Sequence, residues 1–237
     1  MIQVRDPNSI YQIDGDIARG RFHGRWHFSF GDYDDPQFRD FGTLRVFNDD
    51  TLTPGAVWPL HPHRDIEVVT YCAGGEFRHA DERGKGGVLK KGWVQHTTVG
   101  RGMWHSEINN LPDQPMRFIQ MWFYPAKYDL DPCVEQEAVE QLDRTDTILP
   151  LVSNRDEGTL SLAADARVFS SFLHGGKTEH YDLEPGRGAY LYVLEGGPVI
   201  VNGTRVPALG SAMITGERAI DLAAEQDAEL LLVEVKT

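Results

Sequence analysis

The stretch Gly55-Ala-Val-Trp-Pro-Leu-His61-Pro62-His63-Arg-Asp-Ile-Glu67-Val-Val-Thr-Tyr-Cys-Ala-Gly74 decides how the rest of the chain is read. Two imidazoles stand at i and i+2, so in a strand His61 and His63 share a face while Pro62 points the other way. Pro62 also has no amide hydrogen to give to a ladder, which puts the run at a sheet edge or a strand start. A lone His-X-His is common in surface turns. Its weight changes with His105-Ser106-Glu107, a second pair of ligand types at i and i+2, which follows the tight-turn sequence Gly100-Arg-Gly102. Two adjacent antiparallel strands, each giving such a pair to one face, bring four donors within reach of one metal ion. Three neutral imidazoles and a carboxylate suit Fe, Ni, Cu, Mn or Zn rather than Mg or Ca.

Outward from this stretch, short β-branched and aromatic runs recur: Thr43–Phe47, Ile66–Tyr71, Arg117–Phe123, Ala189–Leu194 and Leu230–Val235. Gly, Pro or Asn-Asp closes them, as in Asn48-Asp-Asp50 and Asn202-Gly203, which is the pattern of an all-β sandwich or barrel. Helical periodicity is scarce, and the one candidate, Val134–Leu142, is short, charged and equally suited to an extended arm. Val69-Thr-Tyr-Cys-Ala-Gly-Gly75 echoes Tyr190-Leu-Tyr-Val-Leu-Glu-Gly-Gly197, and Gly92-Trp-Val-Gln-His-Thr97 echoes Gly210-Ser-Ala-Met-Ile-Thr215, so the halves read as an internal duplication. The expected division is an N-terminal metal-binding domain over 1–128, an acidic connection over 129–146, and a C-terminal domain over 147–237.

The 237 residues are enough for one or two domains with a sizeable core. With 41% hydrophobic and 25% charged residues the composition is globular, not disordered. Twenty-three Lys+Arg against 36 Asp+Glu give a net charge of -13, which argues against direct nucleic-acid or anionic-membrane partners. Cys72 and Cys133 make no disulfide framework, the start lacks the apolar core of a signal peptide, and no stretch approaches the roughly 20 apolar residues of a membrane span. The expected location is the cytoplasm.

Gly55, five residues, His61-X-His63, three residues, Glu67, six residues, Gly74 matches the first cupin motif position for position. Taken with Gly100-Arg-Gly-Met-Trp-His-Ser-Glu107, Trp26-His-Phe-Ser-Phe30, Tyr33-Asp-Asp-Pro36 and Leu44-Arg-Val-Phe-Asn-Asp-Asp50, the chain resembles the pirin family. It is most similar to the compact bacterial members with quercetin 2,3-dioxygenase-like activity. The resemblance implies a bicupin fold, two jelly-roll barrels packed together. It implies one divalent transition metal per chain in the first barrel, held by His61, His63, His105 and Glu107. Iron is the first expectation; nickel, copper, manganese, zinc and cobalt are the others. It also implies an O2-dependent ring cleavage of a flavonol or similar phenolic or enolic substrate, with Glu107 as the catalytic base that takes the substrate's hydroxyl proton. A second reading stays open: a metal-binding, redox-sensitive regulatory protein without turnover, acting on a protein partner as pirin-like transcription cofactors do.

Glu67 is expected beside the ligands, orienting a ligand histidine or binding a water. His79 and His96 lack an i+2 partner and are expected as surface or packed histidines, His27 as a packed one, and Cys72 as a buried, inert thiol. The second barrel is expected to hold no metal. If Gly216 corresponds to Gly102, then Ala219 and Asp221 take the places of His105 and Glu107, and His174 and His180 form no His-X-His pair.

Overall fold

The β-branched and aromatic runs are strands in the computed structural model, which describes residues 1–82, 84 and 86–237. The chain forms two units, and each is a sandwich of a larger and a smaller antiparallel sheet. The expectation of an all-β chain with two barrel-type domains holds. No helix among the described residues is long and apolar enough to cross a membrane.

One unit comprises residues 11–139 and 160–165. Its large sheet runs in the order Cys133–Glu137, Val94–Thr98, Glu67–Gly74, Met116–Phe123, Leu44–Leu52, Gly20–Trp26, Tyr11–Ile17. Its small sheet runs Val57–His63, Met103–Asn109, Glu76–Asp81, Gly86–Lys90. The sheets close on an apolar cluster that takes Leu52, Cys72, Met116 and Phe118 from one and Phe77 and Leu89 from the other. Because strand side chains alternate, those residues fix which face looks inward. In the strand Leu44–Leu52 the inward set is Asn48, Asp50 and Leu52, and in Met116–Phe123 it is Phe118, Gln120 and Trp122. Asn48-Asp49-Asp50, expected to close a strand, lies inside one.

The other unit comprises residues 1–10, 140–159 and 166–237. Its large sheet includes, in order, Ile2–Arg5, Ser211–Ile214, Arg187–Gly196, Ala228–Lys236, Ala166–Leu173 and Leu149–Ser153. Its small sheet runs Thr178–Asp182, Ala219–Ala224, Val199–Val201, Thr204–Val206. Leu191, Val193, Leu230 and Leu232 meet Val199, Val201, Ile220 and Leu222 in one buried cluster.

The boundaries therefore differ from a simple split into 1–128, 129–146 and 147–237. Met1–Ile10 belongs to the C-terminal unit because Ile2–Arg5 pairs with Ser211–Ile214, Ile2 opposite Ile214. Residues 133–137 are no free connection: they form a strand on Val94–Thr98, and a 3-10 turn at Gln141–Arg144 follows. Strand pairing over long sequence distances decides both points, and composition carries no trace of it.

Candidate metal centre and its cavity

His61 and His63 lie on Val57–His63, and His105 and Glu107 on Met103–Asn109. The two strands pair antiparallel with His105 opposite His61 and His63 opposite Met103, and a register shift falls between His105 and Glu107. The turn into the second strand needs Gly100, whose φ is +52° and where a Cβ would collide with the Leu130 carbonyl oxygen. The pairing brings one donor atom from each of His61, His63 and His105 within 4.8 Å of the others. Glu107 lies outside that triad but lines the same cavity as His61 and His63.

The hydrogen bonds prepare these imidazoles to bind an ion through Nε2. His61 donates Nδ1–H to the Pro59 carbonyl at 2.7 Å, which leaves its Nε2 bare. The Nε2 atoms of His61 and His105 converge to 3.1 Å. His63 Nε2 is buried and has no hydrogen-bond partner among the described residues, and its ring packs against those of His61 and His105. Burial pushes the His63 imidazole down to about 4, and His61 beside it adds to the effect. Burial likewise pushes His105 down to about 2, helped by His61, His79 and His63. Both rings are neutral at pH 7, the form that coordinates metal. An orphaned nitrogen among converging imidazoles fits a late first-row ion.

Two further residues orient the set. His79, expected as a surface or packed histidine, is buried at 3% exposure and places Nε2 2.9 Å from Nδ1 of His105. Ligation through Nε2 requires His105 to carry its proton on Nδ1, and His79 is there to accept it. Burial drives His79 down to about 4 against the opposing pull of Asp81, so its ring is neutral. Glu107 accepts from Gln120 Nε2, and Gln120 Oε1 accepts from Trp122 Nε1 at 2.9 Å, which fixes the amide's orientation. Burial raises Glu107 above the usual carboxylate range, while His61 and the Gln120 bond oppose the shift.

Glu67 is not beside the ligands. It accepts from His96 Nε2 at 2.7 Å, from Thr98 Oγ1 at 3.0 Å and from the Ala163 amide at 3.1 Å. Even spacing from His63 fails to carry across because Asp65, at φ +52°, breaks the chain between two strands of different sheets. In the strand Glu67–Gly74 the apolar clusters claim Val68 and Cys72, so Glu67 has the opposite parity and faces away from the cavity. His96 shares that outer face, opposite Val69. His27 packs on the Phe47 ring, and Cys72 is buried.

The cavity beside the triad measures about 120 Å³. Phe30, Trp58 and Trp122 form its aromatic walls, and Asn48, Asp50 and Gln120 face the histidines and Glu107. Volume and lining suit the edge of a flat ring more than a whole ligand, since enclosing pockets usually measure roughly 300–1,000 Å³.

Sequence comparison places the molecule among known proteins. The family model described as Pirin matches residues 12–123, and that of the quercetinase C-terminal cupin domain matches residues 151–235. A pirin-like protein of Caulobacter vibrioides is 36% identical over 93% of this chain and 95% of its own length. A quercetin 2,3-dioxygenase of Escherichia coli is 29% identical over 89% of this chain and 90% of its own. The crystal structure of the bacterial pirin YhhW from Escherichia coli in complex with nickel(II) superimposes with a TM-score of 0.91 at 27% identity, covering 100% of this chain and 99% of that one.

Proposed function

The chain belongs to the pirin family, and from that premise we propose that it is a metal-dependent dioxygenase of the quercetinase type. His61, His63 and His105 hold one divalent transition metal, with Glu107 as the fourth ligand and the base. The observation that carries this reading is the triad of converging imidazoles, with His63 Nε2 lacking any hydrogen-bond partner among the described residues, beside an aromatic-walled cavity that Glu107 also lines. Two relatives support it, the Escherichia coli protein named quercetin 2,3-dioxygenase and the nickel complex of YhhW. Iron and nickel both suit the donor set, and the cytoplasm suits the acidic, cysteine-poor composition.

A bound redox-active ion would supply an open coordination position and a path for substrate electrons to O2. The side chains do the rest. Phe30, Trp58 and Trp122 take the face and edges of a phenolic ring and keep water out. Glu107 Oε1 is held by Gln120, so a single orientation of the carboxylate meets the substrate. A flavonol hydroxyl gives its proton to that carboxylate as it binds. Its raised proton affinity brings it nearer to the phenol's own than an exposed glutamate would be. The test is oxygen consumption with quercetin after reconstitution with iron or nickel. Turnover that falls roughly 10²–10⁴-fold in Glu107→Gln supports the reading. A fully loaded protein that consumes no oxygen refutes it.

A further inference from the structure

Asp49 and Asp50 are neighbours in one strand with opposite surroundings. Asp49 faces outward, where Arg117 grips it with Nε at 2.8 Å and Nη2 at 2.7 Å. Asp50 faces inward into the cavity, is 5% exposed, and has no cation within ion-pair distance among the described residues. Its one side-chain hydrogen bond is to Oδ1, from Trp26 Nε1 at 3.1 Å. Among the described residues nothing bonds Oδ2. The strand beside it is shaped around this pair: a Cβ at Gly24 would lie 2.6 Å from Asp50 Oδ1 and 2.7 Å from Trp26 Nε1. A buried acid without a counter-ion is costly, and apolar residues of similar volume would cost less.

We propose that Asp50 is a substrate-binding residue of this site. Its carboxyl group hydrogen-bonds an oxygen of the phenolic substrate on the edge of the ring remote from the histidines. The proposal rests on the dioxygenase reading and deepens it, because it names what recognises the far edge of the ring. The cavity supplies the geometry: His61, His63 and Glu107 come from the small sheet, Asn48 and Asp50 from the large one, and Phe30, Trp58 and Trp122 complete the lining. Burial, together with Asp49 and Glu107 nearby, raises the Asp50 carboxyl well above its ordinary range despite the Trp26 bond. Either carboxyl oxygen can accept a hydrogen bond from a substrate hydroxyl, and the protonated form can also donate one to a substrate oxygen. The substrate class that fits is a planar phenol or enol with a chelating oxygen pair on one edge and a further hydroxyl or carbonyl across the ring.

The experiment measures quercetin binding to metal-reconstituted protein without oxygen, followed by the shift of the flavonol absorption band. Metal content is measured on the same samples. Asp50→Leu is expected to weaken binding at least about tenfold with unchanged metal content. Asp50→Asn, which keeps a donor in place, is expected to return to within about threefold of the unmodified protein. If Asp50→Leu does not fold, Asp50→Ala serves the same comparison. Undiminished quercetin affinity in a folded, metal-loaded Asp50→Leu or Asp50→Ala protein overturns the proposal. Loss of metal in those variants overturns it as well, because Asp50 would then act through the ligands. If the unmodified, metal-loaded protein binds no quercetin, the dioxygenase reading fails and the role of Asp50 falls with it.

Discussion

In the N-terminal unit the strand Met103–Asn109 is second in its small sheet and turns Met103, His105, Glu107 and Asn109 inward. In the C-terminal unit the strand in that position is Ala219–Ala224, and it turns Ile220, Leu222 and Ala224 inward. One sandwich is left hollow and polar at one end, and the other is filled to that level with aliphatic side chains. Asp221, which takes the place of Glu107 if Gly216 corresponds to Gly102, faces outward and accepts from His180 Nδ1 at 2.6 Å. The C-terminal unit has buried charges too, but they are paired with one another outside its aliphatic cluster. There Glu234 is ringed by Arg155, Arg167, Arg187 and the Tyr181 hydroxyl. The same architecture leaves a polar cavity where packing is interrupted and an aliphatic core where it is complete.

The most direct way to break this comparison is to remove one inward residue from each unit. His105→Ala should lower metal affinity by more than the roughly 100-fold that loss of an outer hydrogen bond costs, with an unchanged circular dichroism spectrum. Leu222→Ala should leave metal content alone and cost about 2–5 kcal/mol in urea unfolding. If His105→Ala unfolds the protein, the N-terminal unit depends on its ion and the contrast fails.

A smaller effect sharpens the picture of the hollow unit. His79→Leu should weaken metal binding about 10–100-fold, because His105 loses the acceptor for its Nδ1 proton. Isothermal titration calorimetry with nickel reads this directly, and His79→Gln, which keeps an acceptor, should recover part of the loss. Equal affinity in all three proteins would reduce His79 to packing.

The smallest effect is a difference of sign with pH. His63 and His79 have folded values of about 4, below the roughly 6.5 of an unfolded histidine. The unfolded chain therefore binds more protons between these values, and metal-free protein should lose stability as pH falls from about 6.5 through about 4. His180 is shifted upward by Asp221 and Asp182, so its contribution is present below about 6.5 and fades as pH rises through its folded value. Hydrogen exchange resolved by segment should show the N-terminal unit loosening first in acid. Uniform loosening would mean that the two histidine environments do not govern the response.

What the sequence made legible follows the same line between local and remote. Alternation within a strand placed His61 with His63 and His105 with Glu107 on shared faces: no shift falls between His61 and His63, and the ladder to Glu76–Asp81 runs unbroken through His105 and Glu107. Alternation carried across a turn failed at Glu67, where the left-handed Asp65 resets the parity. It failed again at Ala219 and Asp221, because a shift of one residue turns every side chain to the other face. His79 could not be found from spacing, since its partner lies across the ladder and its register with Glu107 exists only in the folded sheet. Asn48-Asp49-Asp50 looked like a turn because three polar residues in a row seldom lie in a buried strand.

The first strand carries a consequence for how the molecule is made. Ile2–Arg5 is synthesised long before its partner, Ser211–Ile214, which lies more than 200 residues further along. The intervening N-terminal sandwich has all its strands up to Glu137 long before that partner is synthesised. The leading strand must therefore wait as an unpaired edge while a complete unit folds behind it. Such a distant closure is slow and exposes a template for mispairing. The alternation of Gln3 and Arg5 with Ile2 and Val4 keeps that waiting segment partly polar. A fusion at Met1 would extend from the last sheet to close, so its first cost should appear as low yield of folded protein, before any change at the histidines.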